Sequence, residues 1–201
     1  MKLNYLEFLL MNNPIRAYVQ EKYELPILMN MLMSNTFDSV LEIGCGNGNG
    51  TKLIKRYFNP LHITAIDLDE KMIQIAQVTV HDESTIFQVM DASILDFPNE
   101  SFDAIIDFGI IHHIPNWKNC IGELRRVLKE GGKLILEELS LDTFSGFPGT
   151  FVRLREMALT NEKLARKVDQ LENRVTDHVK LHVGGSTKND QMEAEAWHFF
   201  L

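Results

Sequence analysis

Residues 40 to 51 read Val-Leu-Glu-Ile-Gly-Cys-Gly-Asn-Gly-Asn-Gly-Thr, an apolar run that passes directly into four glycines at alternate positions. Glycine has no Cβ, so it takes φ > 0 without penalty and lets a ligand approach the backbone closely. Gly44, Gly46 and Gly48, with Glu42 and Cys45 in the same stretch, therefore predict a nucleotide-binding turn. Nineteen residues beyond Gly48, Ile63-Thr-Ala-Ile-Asp67 reads as a second strand ending in a carboxylate. An acid at that place can accept hydrogen bonds from both ribose hydroxyls of an adenosine. The G-x-G-x-x-G spacing of a dinucleotide site is not met, because its third glycine would fall on Asn49 or Thr51. A ligand without a pyrophosphate is favoured.

His112 and His113 form the second chemical feature. A neutral imidazole near its ordinary pKa can take a proton from an oxygen or nitrogen acceptor, so the pair reads either as a general base or as structural hydrogen-bonding groups. No set of cysteines, histidines and carboxylates stands near them at metal-ligand spacing, and no metal centre is expected. Glu137 and Glu138 follow the fifth predicted strand, where they either line the acceptor pocket or meet solvent.

The elements that must position these groups alternate. Strands are expected near 38–43, 61–66, 84–90, 102–108 and 132–138, with helices near 50–58, 69–79 and 117–129. Such alternation predicts an α/β, Rossmann-like, doubly wound and mostly parallel sheet with its ligand at the carboxyl ends of the strands. Residues 1–37 are apolar at mixed helical spacing (Leu3, Leu6, Leu10; Ile15, Tyr18, Val19; Leu25, Leu28, Leu32), with Asn13 before Pro14 as a helix start. They predict an N-terminal helical cover over residues 38–149.

With these motifs in place, the chain resembles the class I S-adenosylmethionine-dependent methyltransferases, in particular the small-molecule, type 11-like group with the signature E-x-G-C-G-x-G. The resemblance covers residues 1–149 and runs through Asp67, through Asp91-Ala92, through Phe97-Pro-Asn-Glu-Ser-Phe-Asp-Ala-Ile-Ile-Asp-Phe108 continuing to Ile111-His-His-Ile114, and through Leu124-Arg-Arg-Val-Leu-Lys-Glu-Gly-Gly-Lys-Leu-Ile-Leu136. Five ordered motifs are far more specific than a glycine turn alone. The resemblance implies S-adenosyl-L-methionine as cofactor. Glu42, Gly44, Cys45, Gly46 and Gly48 would face its methionine part, Asp67 the ribose, Leu68 an adenine face, Asp91 and Ala92 the adenine edge, with Phe108 and Gly109 closing the site. Residue by residue, Asp91 could instead cap its own loop as an Asx turn, and Phe108 could simply be core. The same resemblance places His112 and His113 beside the pocket of a small-molecule methyl acceptor. The rival reading is a catalytically silent cofactor-binding or assembly module.

The 201 residues are 45% hydrophobic, enough for one full core, and no apolar run approaches a bilayer span. Cys45 and Cys120 cannot make a disulfide framework; reduced thiols and a cytoplasmic protein are expected. Residues 1–149 hold 12 basic and 20 acidic side chains, whereas residues 150–201 hold 8 of each. An acidic catalytic part repels phosphate backbones, which disfavours nucleic acid as a partner.

Beyond residue 149 the pattern changes. Leu154, Met157, Asn161, Leu164, Val168, Leu171, Val175, His178 and His182 recur by threes and fours. Valine at a and leucine at d, with Asn161 at a and Lys167 able to meet Glu172 of a partner, predict one long helix over 150–183, either a parallel two-stranded coiled coil that makes a homodimer or an amphipathic cover for its own domain. The segment from Thr150 to Glu172 resembles the helical tail of phage antirepressor-type proteins, which points to a fused or truncated gene product with incomplete last strands. Val179–Val183 is the late strand candidate, and residues 184–201 are expected to be a flexible tail.

Overall fold

The computed structural model describes residues 17, 18, 20–26, 29, 36–139 and 154–160. Its centre is a six-stranded sheet of order β3-β2-β1-β4-β5-β6. β1 is Ser39–Ile43, β2 His62–Asp67, β3 Thr85–Val89, β4 Phe102–Asp107, β5 Leu128–Leu139 and β6 Leu154–Thr160. The first five are parallel to their neighbours, and β6 runs antiparallel to β5. Helices α1 (Asn49–Phe58), α2 (Glu70–Thr79) and α3 (Trp117–Val127) connect them.

Side chains on successive strand residues point to opposite faces, and both faces are buried here. Leu41 and Ile43 of β1, Ile105 of β4 and Leu134 and Leu136 of β5 pack with Cys120, Ile121, Leu124 and Val127 of α3. The intervening Val40, Ala104, Ile106 and Ile135 pack with Leu53, Ile54 and Phe58 of α1, Ile73 and Ala76 of α2, and Leu25. Near-continuous apolar strands of this kind are what a parallel sheet covered on both sides requires.

Polar ties fix the strand ends. Asp103 accepts hydrogen bonds from the Ser39 backbone N–H and hydroxyl at 2.8 and 3.0 Å and pairs with Lys129 at 2.8 Å, joining the starts of β1, β4 and β5. The Arg126 guanidinium donates to the carbonyls of Leu95 and Phe97 and pairs with Glu123, which in turn accepts the Leu95 N–H. The loop after β3 is thereby held against α3.

In the amino-terminal region Gln20–Glu24 is a single π-helical turn. Glu21 pairs with Arg56 at 2.6 Å and accepts from the Tyr57 hydroxyl, which anchors this turn on α1. Tyr18 and Leu25 of the expected pattern are also helical, whereas Leu3, Leu6, Leu10, Ile15, Val19, Leu28 and Leu32 lie outside the described residues.

Two expectations need correction. α3 ends at Val127 rather than near 129, and β5 begins at Leu128, because Gly131 and Gly132 lie inside the strand, where a register shift between Phe102 and Ala104 of β4 accommodates them. More consequentially, Leu154–Thr160 is a strand where a helix is expected. Leu, Arg, Glu, Met and Ala favour helix locally, but propensity is a weak prior that tertiary context overrides. An unpaired β5 would expose a row of backbone donors and acceptors, and β6 takes them up from Lys133↔Thr160 to Leu139↔Leu154. The sheet therefore carries one antiparallel edge strand beside β5, where incomplete last strands were expected. The coiled-coil seam from Asn161 onward, the Val179–Val183 candidate and the flexible tail lie outside the described residues.

Candidate active site

The glycine turn follows β1 as the spacing requires. Gly44, Gly46 and Gly48 have φ of 66°, 52° and 86°. The Cys45 N–H donates to the Ile66 carbonyl at 3.0 Å and the Gly46 N–H to Asp67 Oδ2 at 2.9 Å, so the turn is tied to the end of β2. Asp67 Oδ1 accepts the Asp69 N–H at 2.8 Å. Each carboxylate oxygen has two acceptor positions, so both oxygens are fixed by backbone donors and keep capacity for a ligand. Burial pushes the Asp67 carboxyl upward from its ordinary value, against the opposing pull of those N–H donors.

A cavity of about 520 Å³ opens at the carboxyl ends of β1 to β4. That lies within the 300 to 1,000 Å³ or so of a small-molecule site. Among the expected site residues it brings together Glu42, Gly44, Cys45, Gly46, Asp67, Leu68, Asp91, Ala92, Phe108 and His113. Gly48 is not in the wall; it precedes α1, and a Cβ there would stand 3.2 Å from the Ala76 backbone, so its task is close packing of α1 on α2. The His112 side chain lies outside the described residues, as do those of Glu137 and Glu138. Asp91 does form the Asx turn, its Oδ1 accepting the Ser93 N–H at 2.8 Å and hydroxyl at 2.7 Å, and it lines the cavity as well.

Sequence reasoning missed other wall residues. Gln20 reaches the cavity from the amino-terminal turn, and Asn47, Asn49 and Gly50 belong to the glycine loop itself. Ile110, Ile114, Pro115 and Asn116 come from the loop after β4. Their position beside His113 was the available signal for this last group, whereas nothing in Gln20's neighbourhood marks it.

Glu42 is the least ordinary group. It is 1% exposed, lines the cavity, and accepts a short hydrogen bond from the Thr51 hydroxyl through Oε2. Burial, then the nearby Asp67 and Asp107 carboxylates, push its carboxyl up to about 8 against the lowering effect of Thr51. The Cys45 thiol is pushed well above its ordinary value by burial and by Glu42 and Asp67, so it is a packed thiol and not a nucleophile. Asp107 is fully buried and accepts the Ile110 N–H at 2.8 Å through Oδ1, which holds the loop after β4.

The sign of the lining charge is uniform. Asp67, Asp69 and Asp91 are in the wall beside the proton-holding Glu42, and no lysine or arginine is among the described residues that form it. Such a cavity repels phosphates and attracts cations. Among the described residues no cluster of three or more histidines, cysteines and acids could hold a metal, and no helix is long and apolar enough to cross a membrane.

Comparison with known proteins shows what this part of the chain is similar to. A family model described as a methyltransferase domain matches residues 41–136. The 27-O-demethylrifamycin SV methyltransferase of Amycolatopsis mediterranei is 31% identical over 135 residues, covering 65% of this chain and 49% of that protein. Demethylmenaquinone methyltransferase of Thermotoga maritima is 33% identical over 123 residues, covering 61% of this chain and 52% of that protein. The chain thus spans about half the length of these two relatives. A solved S-adenosylmethionine-dependent methyltransferase from Aquifex aeolicus superposes with a TM-score of 0.61 at 17% identity, over 75% of this chain and 78% of that one. Residues 41–136 match the methyltransferase domain family, and the sheet that carries them has the class I methyltransferase fold.

Proposed function

We propose that the chain is an S-adenosylmethionine-dependent methyltransferase acting on a small-molecule acceptor. The observation that carries this reading is the acidic cavity at the glycine turn, with the Asp67 carboxylate fixed in its wall and no lysine or arginine among its described lining residues. A pyrophosphate-bearing dinucleotide meets the carboxylates of Asp67, Asp69 and Asp91 there, whereas an adenosyl ligand with a net positive charge is attracted. The cofactor is S-adenosylmethionine, which supplies an electrophilic methyl group on a cationic sulfur.

The chain's own groups then bind and align. Asp67 takes the ribose hydroxyls, Leu68 offers an apolar face to the adenine, and Asp91 and Ala92 meet its edge. The turn from Gly44 to Gly46 and Glu42 surround the methionine part. Holding acceptor and methyl group in line can lower the barrier by about 7 to 11 kcal/mol without a strong acid or base. His113 lines the cavity and is the candidate to receive an acceptor proton. If it does so, His113→Ala should lower turnover by about 10²-fold and leave cofactor affinity unchanged; full activity in both His112→Ala and His113→Ala would mean catalysis by alignment alone.

Calorimetric titration of the wild type and Asp67→Ala with S-adenosylmethionine tests the reading. The variant should lose about 1.5 to 3 kcal/mol of binding, the usual range for a hydrogen bond involving a charged group. Equal affinity would remove the ribose assignment, and absence of any heat with the wild type would remove the proposed function.

A further inference from the structure

Adenosine, ribose and methionine parts placed along β3, β2 and β1 leave the loop after β4 for the methyl acceptor. Its contribution to the cavity is Ile110, Ile114 and Pro115, with His113 and Asn116 as polar groups and no cation. Behind this apolar wall lie the carboxylates of Asp67, Asp69 and Asp91 in the same cavity, and buried Asp107 beneath Ile110. An acceptor that carries a carboxylate or phosphate would therefore enter a negative field. A protonated amine would be attracted but has no free electron pair to offer.

Resting on the methyltransferase reading, we propose that the acceptor is uncharged, with an apolar body seated on Ile110, Ile114 and Pro115 and a hydroxyl as the group methylated. In the transfer the acceptor oxygen forms its bond to the methyl carbon as the carbon–sulfur bond breaks. The bonding pair stays on sulfur, which becomes a neutral thioether, and the hydroxyl proton passes through His113 to solvent. The local positive charge is lost in the step, so an acidic wall also holds the charged cofactor more tightly than the neutral product.

The test uses the full chain saturated with S-adenosylhomocysteine, and compares calorimetric binding of a naphthol with that of the naphthoate built on the same ring. Naphthol should bind at least about tenfold more tightly at low salt, and the gap should narrow as salt screens the field. Asn116→Lys places a cation at the exposed rim of the cavity. Asn116 makes no side-chain cap to α3, so its replacement removes no capping hydrogen bond. This variant should close most of the gap by strengthening naphthoate alone. Naphthoate binding as tightly as naphthol in the wild type overturns the proposal, as does failure of both probes in protein that binds S-adenosylhomocysteine. Failure to bind S-adenosylhomocysteine at all would instead remove the methyltransferase reading beneath it.

Discussion

Glu42→Gln should make the unliganded protein more stable at neutral and alkaline pH, by about 3 kcal/mol near pH 7 and approaching about 5 kcal/mol above pH 9, while leaving it little changed in mild acid. The cause is burial of a carboxyl group that lines the cavity and shares it with Asp67, close to Asp107, with only the Thr51 hydroxyl to favour its charge. Its folded-state value is raised, from 4.5 to about 8. The folded chain therefore holds that proton more tightly than the unfolded chain does. Stability from this group is fully present below pH 4.5 and is lost as pH rises toward about 8. Glutamine keeps an oxygen for the Thr51 hydroxyl and has no proton to lose. Asp82, Asp103 and Glu123 are shifted downward by their partners and act in the opposite sense, but at more acid pH. Denaturant unfolding of both proteins from about pH 5 to about pH 9 checks the prediction, and parallel pH profiles would refute it. The same coupling implies that a cationic ligand lowers the Glu42 value, so binding S-adenosylmethionine near pH 7 should release on the order of one proton in the wild type and fewer in Glu42→Gln. Titration in two buffers of different ionisation enthalpy reads that number directly.

How much of this site was legible beforehand depends on whether a residue acts through its own backbone or through the fold around it. The turn was legible because Gly44 and Gly46 adopt conformations that side-chain-bearing residues avoid, and Asp67 because a carboxylate ending a strand at that spacing has few other uses. β1 to β4 and the three helices follow from apolar runs alternating with helical periods, to within about one or two residues. Gly48 looked like part of the ligand cradle, yet its missing Cβ serves the approach of α1 to α2, a contact invisible in one dimension. Gln20 was invisible for the same reason, since it belongs to no motif and reaches the cavity only because Glu21 anchors its turn on Arg56 and Tyr57. Leu154–Thr160 shows a different failure. Its composition and its three-four spacing both speak for helix, and the deciding fact, the open edge of β5, lies fifteen or more residues earlier in the chain. Strand pairing of that kind is a property of two segments together.

The turn and the loop after β4 should prove to be one mechanical unit, and Gly44→Ala is the variant that shows it. Gly44 sits at φ 66°, where an alanine costs about 1 to 2 kcal/mol in backbone strain. A Cβ there would also stand 2.6 Å from Ile110 Cβ and Cγ1 and 2.8 Å from its Cγ2. Ile110 has little room to retreat, because its N–H is held by Asp107 Oδ1 at 2.8 Å and its carbonyl accepts the His113 N–H at 2.9 Å. Overpacking at such a contact adds about 1 to 3 kcal/mol, so a total loss of about 2 to 5 kcal/mol in stability is expected. Cofactor affinity should fall with it, since both residues are in the cavity wall. Removing the obstacle separates the two causes. In an Ile110→Gly background the same substitution should cost only the backbone strain, and the difference between the two costs is the coupling energy between turn and loop. If Gly44→Ala costs the same in both backgrounds, Ile110 does not press on the turn, and the cavity wall after β4 moves independently of the glycine loop.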